Sequence, residues 1–124
     1  MKITPFKRCK DHEEAREQAK VASWLRTSHP NVLFTSTTVD HVKPMQAIRR
    51  KAAGYRAGWP DMFIAEPRKD FHGLFVEMKK VKGGQVSPEQ KEVMLQLGLR
   101  NYAAKVCHGA DEAIRIIWYY LEVE

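Results

Sequence analysis

In Leu74-Phe75-Val76-Glu77-Met78-Lys79, successive side chains of an extended strand alternate between faces, so Glu77 and Lys79 share one side and Leu74, Val76 and Met78 the other. A carboxylate and an ammonium then project side by side. Asp61 follows Gly58-Trp59-Pro60 and opens the preceding apolar run, so pairing of the two runs as a hairpin brings a second carboxylate next to Glu77. Two carboxylates held together repel, and a divalent cation relieves that repulsion. Such a cation can hold a phosphate and lower the pKa of a bound water, while Lys79 orients the nucleophile or offsets charge developing on the phosphate. This donor set suits in-line hydrolysis of a phosphodiester. An isolated Glu-x-Lys is more often an ordinary surface pair and Asp61 a turn residue. The Gly-x-Pro-Asp turn, the two apolar strands and a basic stretch upstream favour chemistry.

The elements that must position these residues are legible in outline. Asp11 to Thr27 reads as a helix capped by Asp11, with Ala15, Ala19, Ala22 and Leu25 at helical spacing and Pro30 beyond its end. Val32 to Thr38 reads as a strand. His41 to Gly58 is polar, basic and broken by Pro44, Gly54 and Gly58, which predicts a long loop with one helical turn around Met45 to Ala53. Met62 to Ala65 and Leu74 to Lys79 form an antiparallel hairpin around Pro67, Asp70 and Gly73. Ser87-Pro88-Glu89-Gln90 opens a helix through a capping box, with Val93, Met94 and Leu97 as its buried stripe. Tyr102 to Val106 is a last strand, followed by a helix capped by Asp111 that carries Ile114, Ile117, Trp118 and Leu121 on one side. The expected class is α/β, a mixed central sheet flanked by helices in the order αβββαβα.

With 124 residues, 44% hydrophobic and 29% charged, the chain suits one core, and residues 1–124 are expected to form a single domain. A formal net charge of +6 and a pI near 9.4 point to a polyanionic partner, nucleic acid first. Lys43, Arg49, Arg50, Lys51 and Arg56 cluster with no acid among them. Few of their neighbours suit base edges, so they are expected to grip phosphates. Cys9 and Cys107 have no metal or disulfide spacing and read as reduced thiols of a cytoplasmic protein. No apolar run approaches the roughly 18 residues that span a bilayer. The five histidines show no ligand spacing, although His41 and His72 lie near the motif. Trp24 and Trp118 are expected in the core; Trp59 abuts the Asp61 turn and is read as packing there, with stacking or wedging against DNA as the alternative.

Arg56-Ala57-Gly58-Trp59-Pro60-Asp61, Val76-Glu77-Met78-Lys79 and Ser87-Pro88-Glu89-Gln90 occur in the order R-x-G-x-P-D, V-E-V-K and S-x-x-Q, which resembles the VRR-NUC nucleases of the PD-(D/E)xK superfamily. The resemblance spans roughly Glu14 to Val106. It implies a restriction-endonuclease-like, resolvase-like fold and Mg²⁺ or Mn²⁺ dependence. The substrates it implies are branched DNA such as flaps or four-way junctions, and the short stand-alone members it resembles are phage-type homodimers, which act in the bacterial host cell. The metal would be held by Asp61, Glu77 and the Met78 backbone carbonyl; Met78 stands where the family usually has Val or Ile, a change that leaves the carbonyl in place. The family also takes an acid from its first helix. Glu14 shares a stripe with Gln18, Val21 and Leu25 and is the choice, directly or through water, with Glu17 in reserve and Glu13 further round.

Gln90 carries two readings, capping of its own helix and an amide lining the site near Lys79. Arg49, Arg50, Lys51, Arg56, Lys80 and Lys82 are the expected DNA contacts. Two rival readings stand beside this one: a DNA-binding module whose acids are structural, and a nuclease acting on RNA or free ends.

Overall fold

The computed structural model describes residues 12–37 and 43–123. The elements in chain order are α1 (His12–Ser28), β1 (Phe34–Ser36), α2 (Pro44–Ala52), β2 (Met62–Ile64), β3 (Leu74–Lys79), α3 (Pro88–Leu99), β4 (Ala103–His108) and α4 (Ala110–Glu122). The four strands form one sheet in the order β1-β2-β3-β4. β1 and β2 run antiparallel, as do β2 and β3, whereas β3 and β4 are parallel. α3 makes the crossover that a parallel pair requires. The α/β class and the mixed, helix-flanked sheet follow the sequence expectation.

Every residue of β3 is buried, so its two faces serve two packing layers. On one face Leu74, Val76 and Met78 join Met62 and Ile64 beneath Val21 and Leu25 of α1 and Ala113, Ile117 and Leu121 of α4. On the other, Phe75 packs with Val93 and Leu97 of α3, flanked by Phe63 and Tyr102. Glu77 and Lys79 continue the Phe75 side of the strand. They therefore face the α3 layer.

Several local expectations are corrected. The middle stretch contains a nine-residue helix, α2, where one turn was expected, so the order is αβαββαβα. Pro44 stands in its first turn and the Lys43 N–H donates to Gln46 Oε1 at 3.1 Å. None of its residues is buried; Met45 and Ile48, one turn apart, are 59% and 65% exposed. Trp118 is 50% exposed, and Tyr120 takes the core position instead, its hydroxyl donating to the Glu66 carbonyl at 2.6 Å. α4 starts at Ala110 with Gly109 as its cap, leaving Asp111 inside the first turn. On α1 the buried residues are Val21 and Leu25, while Ala15 and Ala19 face outward. Asp11, Thr38, His41 and Cys9 lie outside the described residues. Among the described residues no helix is long and apolar enough to cross a membrane.

Candidate active site

The turn before β2 is held from three sides. Gly58 has φ +98°, and a Cβ there would lie 2.6 Å from the Glu89 carbonyl oxygen, so only glycine lets this turn approach α3 so closely. Trp59 meets the Phe75 ring edge-on at 5.4 Å between centroids, and Pro60 is fully buried. The Thr37 N–H donates to the Asp61 carbonyl at 2.8 Å and its hydroxyl donates to the Pro60 carbonyl. Asp61 is thereby fixed at the mouth of β2. Thr37 is a positioning residue with no signal in the sequence, since its role depends on the end of β1 meeting this turn.

The β2–β3 ladder ends at the Met62–Val76 pair. Two residues on, the Met78 N–H points to the same edge and donates to Asp61 Oδ2 at 2.7 Å. The N–H and C=O of one strand residue face the same side. The Met78 carbonyl thus opens on the edge where Asp61 lies.

On the α3 side, Glu77 is 3% and Lys79 8% exposed, and Lys79 Nζ lies 3.4 Å from Glu77 Oε2. Buried charges persist only when paired and hydrogen-bonded, and Gln90 bonds to both members of this pair. Its Nε2 donates to Glu77 Oε2 at 2.9 Å, while its Oε1 accepts from Lys79 Nζ at 3.1 Å and from the Ser87 N–H at 2.9 Å. The Gln90 N–H donates to Ser87 Oγ at 3.1 Å, completing the capping box. One amide thus caps α3 and bridges Glu77 and Lys79. Gly109 N–H, donating to the Lys79 carbonyl at 3.1 Å, fixes the end of the strand.

The structure thus brings together Asp61, Glu77, Lys79, Gln90 and the Met78 backbone. A cavity of about 240 Å³ opens against Asp61 and Gln90 and is lined also by Arg56, Tyr55 and Trp59. Glu14 comes from the other layer, on α1. Glu13 Oε2 accepts from the Val81 N–H at 3.1 Å and Gln18 Nε2 donates to Ser36 Oγ at 3.2 Å, so the helix between them is directed at the end of the sheet where β3 finishes. Glu17 has a different task. Its Oε1 accepts from the Ala110 N–H at 2.7 Å at the start of α4, and the Lys20 hydrogen bond together with this N–H holds its carboxyl below the usual value. Arg49, Arg50 and Lys51 lie on the last turn of α2, all exposed, and Lys80 and Lys82 follow β3.

The donor set can be compared with the chemistry of a divalent cation. Among the described residues no group of three His, Cys, Asp or Glu side chains is gathered as a cluster. Two carboxylates and a peptide carbonyl are hard oxygen donors of the kind Mg²⁺ and Mn²⁺ take, and Mg²⁺ is ordinarily held by one or two carboxylates with water completing the shell. The residues fit such an ion.

A mixed sheet with an acid before β2 and Glu-x-Lys on β3 defines a restriction-endonuclease-like domain. The chain belongs to the VRR-NUC family, a family of nucleases, whose domain model matches residues 8–111. It is also similar to a solved structure described as a VRR_NUC domain protein, at 29% identity and a TM-score of 0.73 over 93% of each chain. No curated protein matches the sequence.

Proposed function

We propose that the protein is a divalent-metal-dependent DNA endonuclease that hydrolyses phosphodiesters in branched DNA. The observation that carries this reading is the clamp: one buried amide, Gln90, holds Glu77 and Lys79 together on the strand whose Met78 N–H takes the Asp61 carboxylate. Asp61, Glu77 and the Met78 carbonyl would hold Mg²⁺ or Mn²⁺, with Glu14 joining through water. The ion supplies Lewis acidity toward a phosphodiester oxygen and toward water. Lys79 directs its ammonium at the reacting phosphate, orienting the attacking water and offsetting developing charge. Gln90 keeps Lys79 from collapsing fully onto Glu77, sharing the ammonium through its own carbonyl.

Arg56, lining the cavity beside Asp61, contacts the phosphate backbone; Arg49, Arg50 and Lys51 extend that contact along α2, with Lys80 and Lys82 beyond β3. A single domain makes one nick. Symmetric cutting of a four-way junction needs two sites in fixed relation, so the working assembly is a two-fold homodimer. Incubating end-labelled linear, flap and four-way-junction DNA with Mg²⁺, Mn²⁺ or EDTA tests the reading. Metal-dependent products, richest from the branched substrates, are expected; binding without cleavage in either metal contradicts it.

A further inference from the structure

A second, larger cavity of about 580 Å³ adjoins the site, within the range of roughly 300–1,000 Å³ that small-ligand pockets occupy. One wall is the end of α2 and the turn after it, with Lys51, Tyr55 and Arg56; the other is the start of α3, with Glu89 and Glu92. Tyr55, Arg56 and Glu89 also line the cavity that holds Asp61 and Gln90, so the two spaces adjoin along a shared wall. The walls are locked together where Gly58 meets the Glu89 carbonyl.

The lining carries both signs of charge. Glu89 and Glu92 oppose a phosphate, and Lys51 and Arg56 oppose a cation. A neutral, planar group with hydrogen-bond donors and acceptors suits both walls, and Tyr55, 46% exposed, offers a ring for it to stack on. A nucleobase has these properties: exocyclic amino groups for carboxylates, ring nitrogens and carbonyls for Arg and Lys, and a π-face. A base inside a duplex cannot enter a side cavity, so the occupant must be unpaired.

We infer that the cavity lined by Tyr55, Arg56 and Glu89 receives an unpaired nucleobase of the DNA whose phosphate lies at Asp61, and that among branched substrates this contact favours those with unpaired nucleotides beside the cut over fully paired ones such as the four-way junction. The inference rests on the nuclease reading above and names what sets its substrate choice.

Binding in EDTA, where cleavage plays no part, isolates the cavity. Flap DNA carrying 5-iodo-deoxyuridine at successive unpaired positions is irradiated with the whole protein, and the crosslinked peptide is mapped. A crosslink to Tyr55 from an unpaired position, and none from the same label in a duplex, is expected. In parallel, Tyr55→Ala should lower the affinity ratio of flap to fully paired DNA about tenfold, the loss expected from one base–aromatic stack, while Tyr55→Phe retains it. An unchanged ratio in Tyr55→Ala, or flap crosslinks that map only elsewhere, overturns the inference. The two readings separate cleanly. Metal-dependent cleavage with a ratio unaffected by Tyr55→Ala overturns the cavity alone, whereas the expected crosslink without cleavage in Mg²⁺ or Mn²⁺ supports the cavity and overturns the nuclease.

Discussion

Removing Lys79 leaves the Glu77 carboxylate buried without the ammonium 3.4 Å away. Strand alternation alone suggests that Lys79→Ala deletes only a solvent-facing charge, because a sequence shows which face a residue takes and not what covers that face. Here α3 covers it. Lys79→Ala is therefore expected to abolish cleavage and also to lower stability by about 3 kcal/mol, as breaking a buried pair does. Glu77→Gln combined with Lys79→Ala should recover part of that stability and none of the activity. Urea denaturation beside a cleavage assay checks both, and a Lys79→Ala protein as stable as the parent would show that Glu77 does not depend on Lys79 for compensation of its charge. Cys107 gives a second prediction at this scale. It is fully buried, and burial pushes its thiol up to about 12, so it should resist alkylation at pH 8 in the folded protein and react at once in urea, as peptide mapping would show. That Asp61, Glu77, Lys79 and Gln90 lie together was legible in the sequence, from the turn and hairpin for Asp61, strand alternation for Glu77 and Lys79, and the capping box with the family resemblance for Gln90. Thr37 and Tyr55 were not, since each acts by meeting a segment distant in the chain.

At the scale of elements, a helix opened by a serine cap was readable, and one opened by a lysine inside a basic stretch was not. α3 announces itself through Ser87, Pro88 and Gln90; α2 has Pro44 and Gln46 at the same positions but Lys43 in place of the serine, and its apolar Met45 and Ile48 stay exposed. α4 is capped two residues earlier than expected, at Gly109 and not Asp111: Gly109 has no side chain, and the help comes from outside. Glu17 of α1 accepts from the Ala110 N–H, and Glu112 reaches back to the His108 N–H at 2.7 Å. Glu17→Gln should thus cost about 1 kcal/mol at pH 7, the usual worth of a helix cap. The sign of the pH dependence follows from the lowered carboxyl. A depressed pKa means that the carboxylate stabilises the fold above the ordinary value of 4.5 and ceases to do so as pH falls through the folded-state value. The stability difference between parent and Glu17→Gln should hold from pH 7 to about 5, shrink below about 4.5 and vanish in stronger acid. Thermal melts across that range would show it; a difference that grows toward acid would place the interaction elsewhere.

For the whole molecule, the charge balance and the placement of the bases belong together. The excess of Lys and Arg includes an exposed helix end, Arg49, Arg50 and Lys51, carried next to the cavity that Arg56 lines. If these side chains neutralise phosphates, changing all three to Ala should weaken binding to every DNA sequence alike and make the log–log salt slope shallower by up to about 3. Cleavage at saturating DNA should survive in part, since the clamp around Gln90 is untouched; an unaltered slope would leave the grip to Lys80 and Lys82. The central claim, that Asp61 and Glu77 form a metal-dependent hydrolytic site, is tested most directly by the cleavage rate of a labelled four-way junction in Mn²⁺ for the parent, Asp61→Ala and Glu77→Ala. Cleavage by the parent that EDTA stops, with a loss of at least about a thousandfold in each variant while junction binding persists, is the predicted result. Cutting at the parent rate by either variant, or by the parent in EDTA, would contradict it.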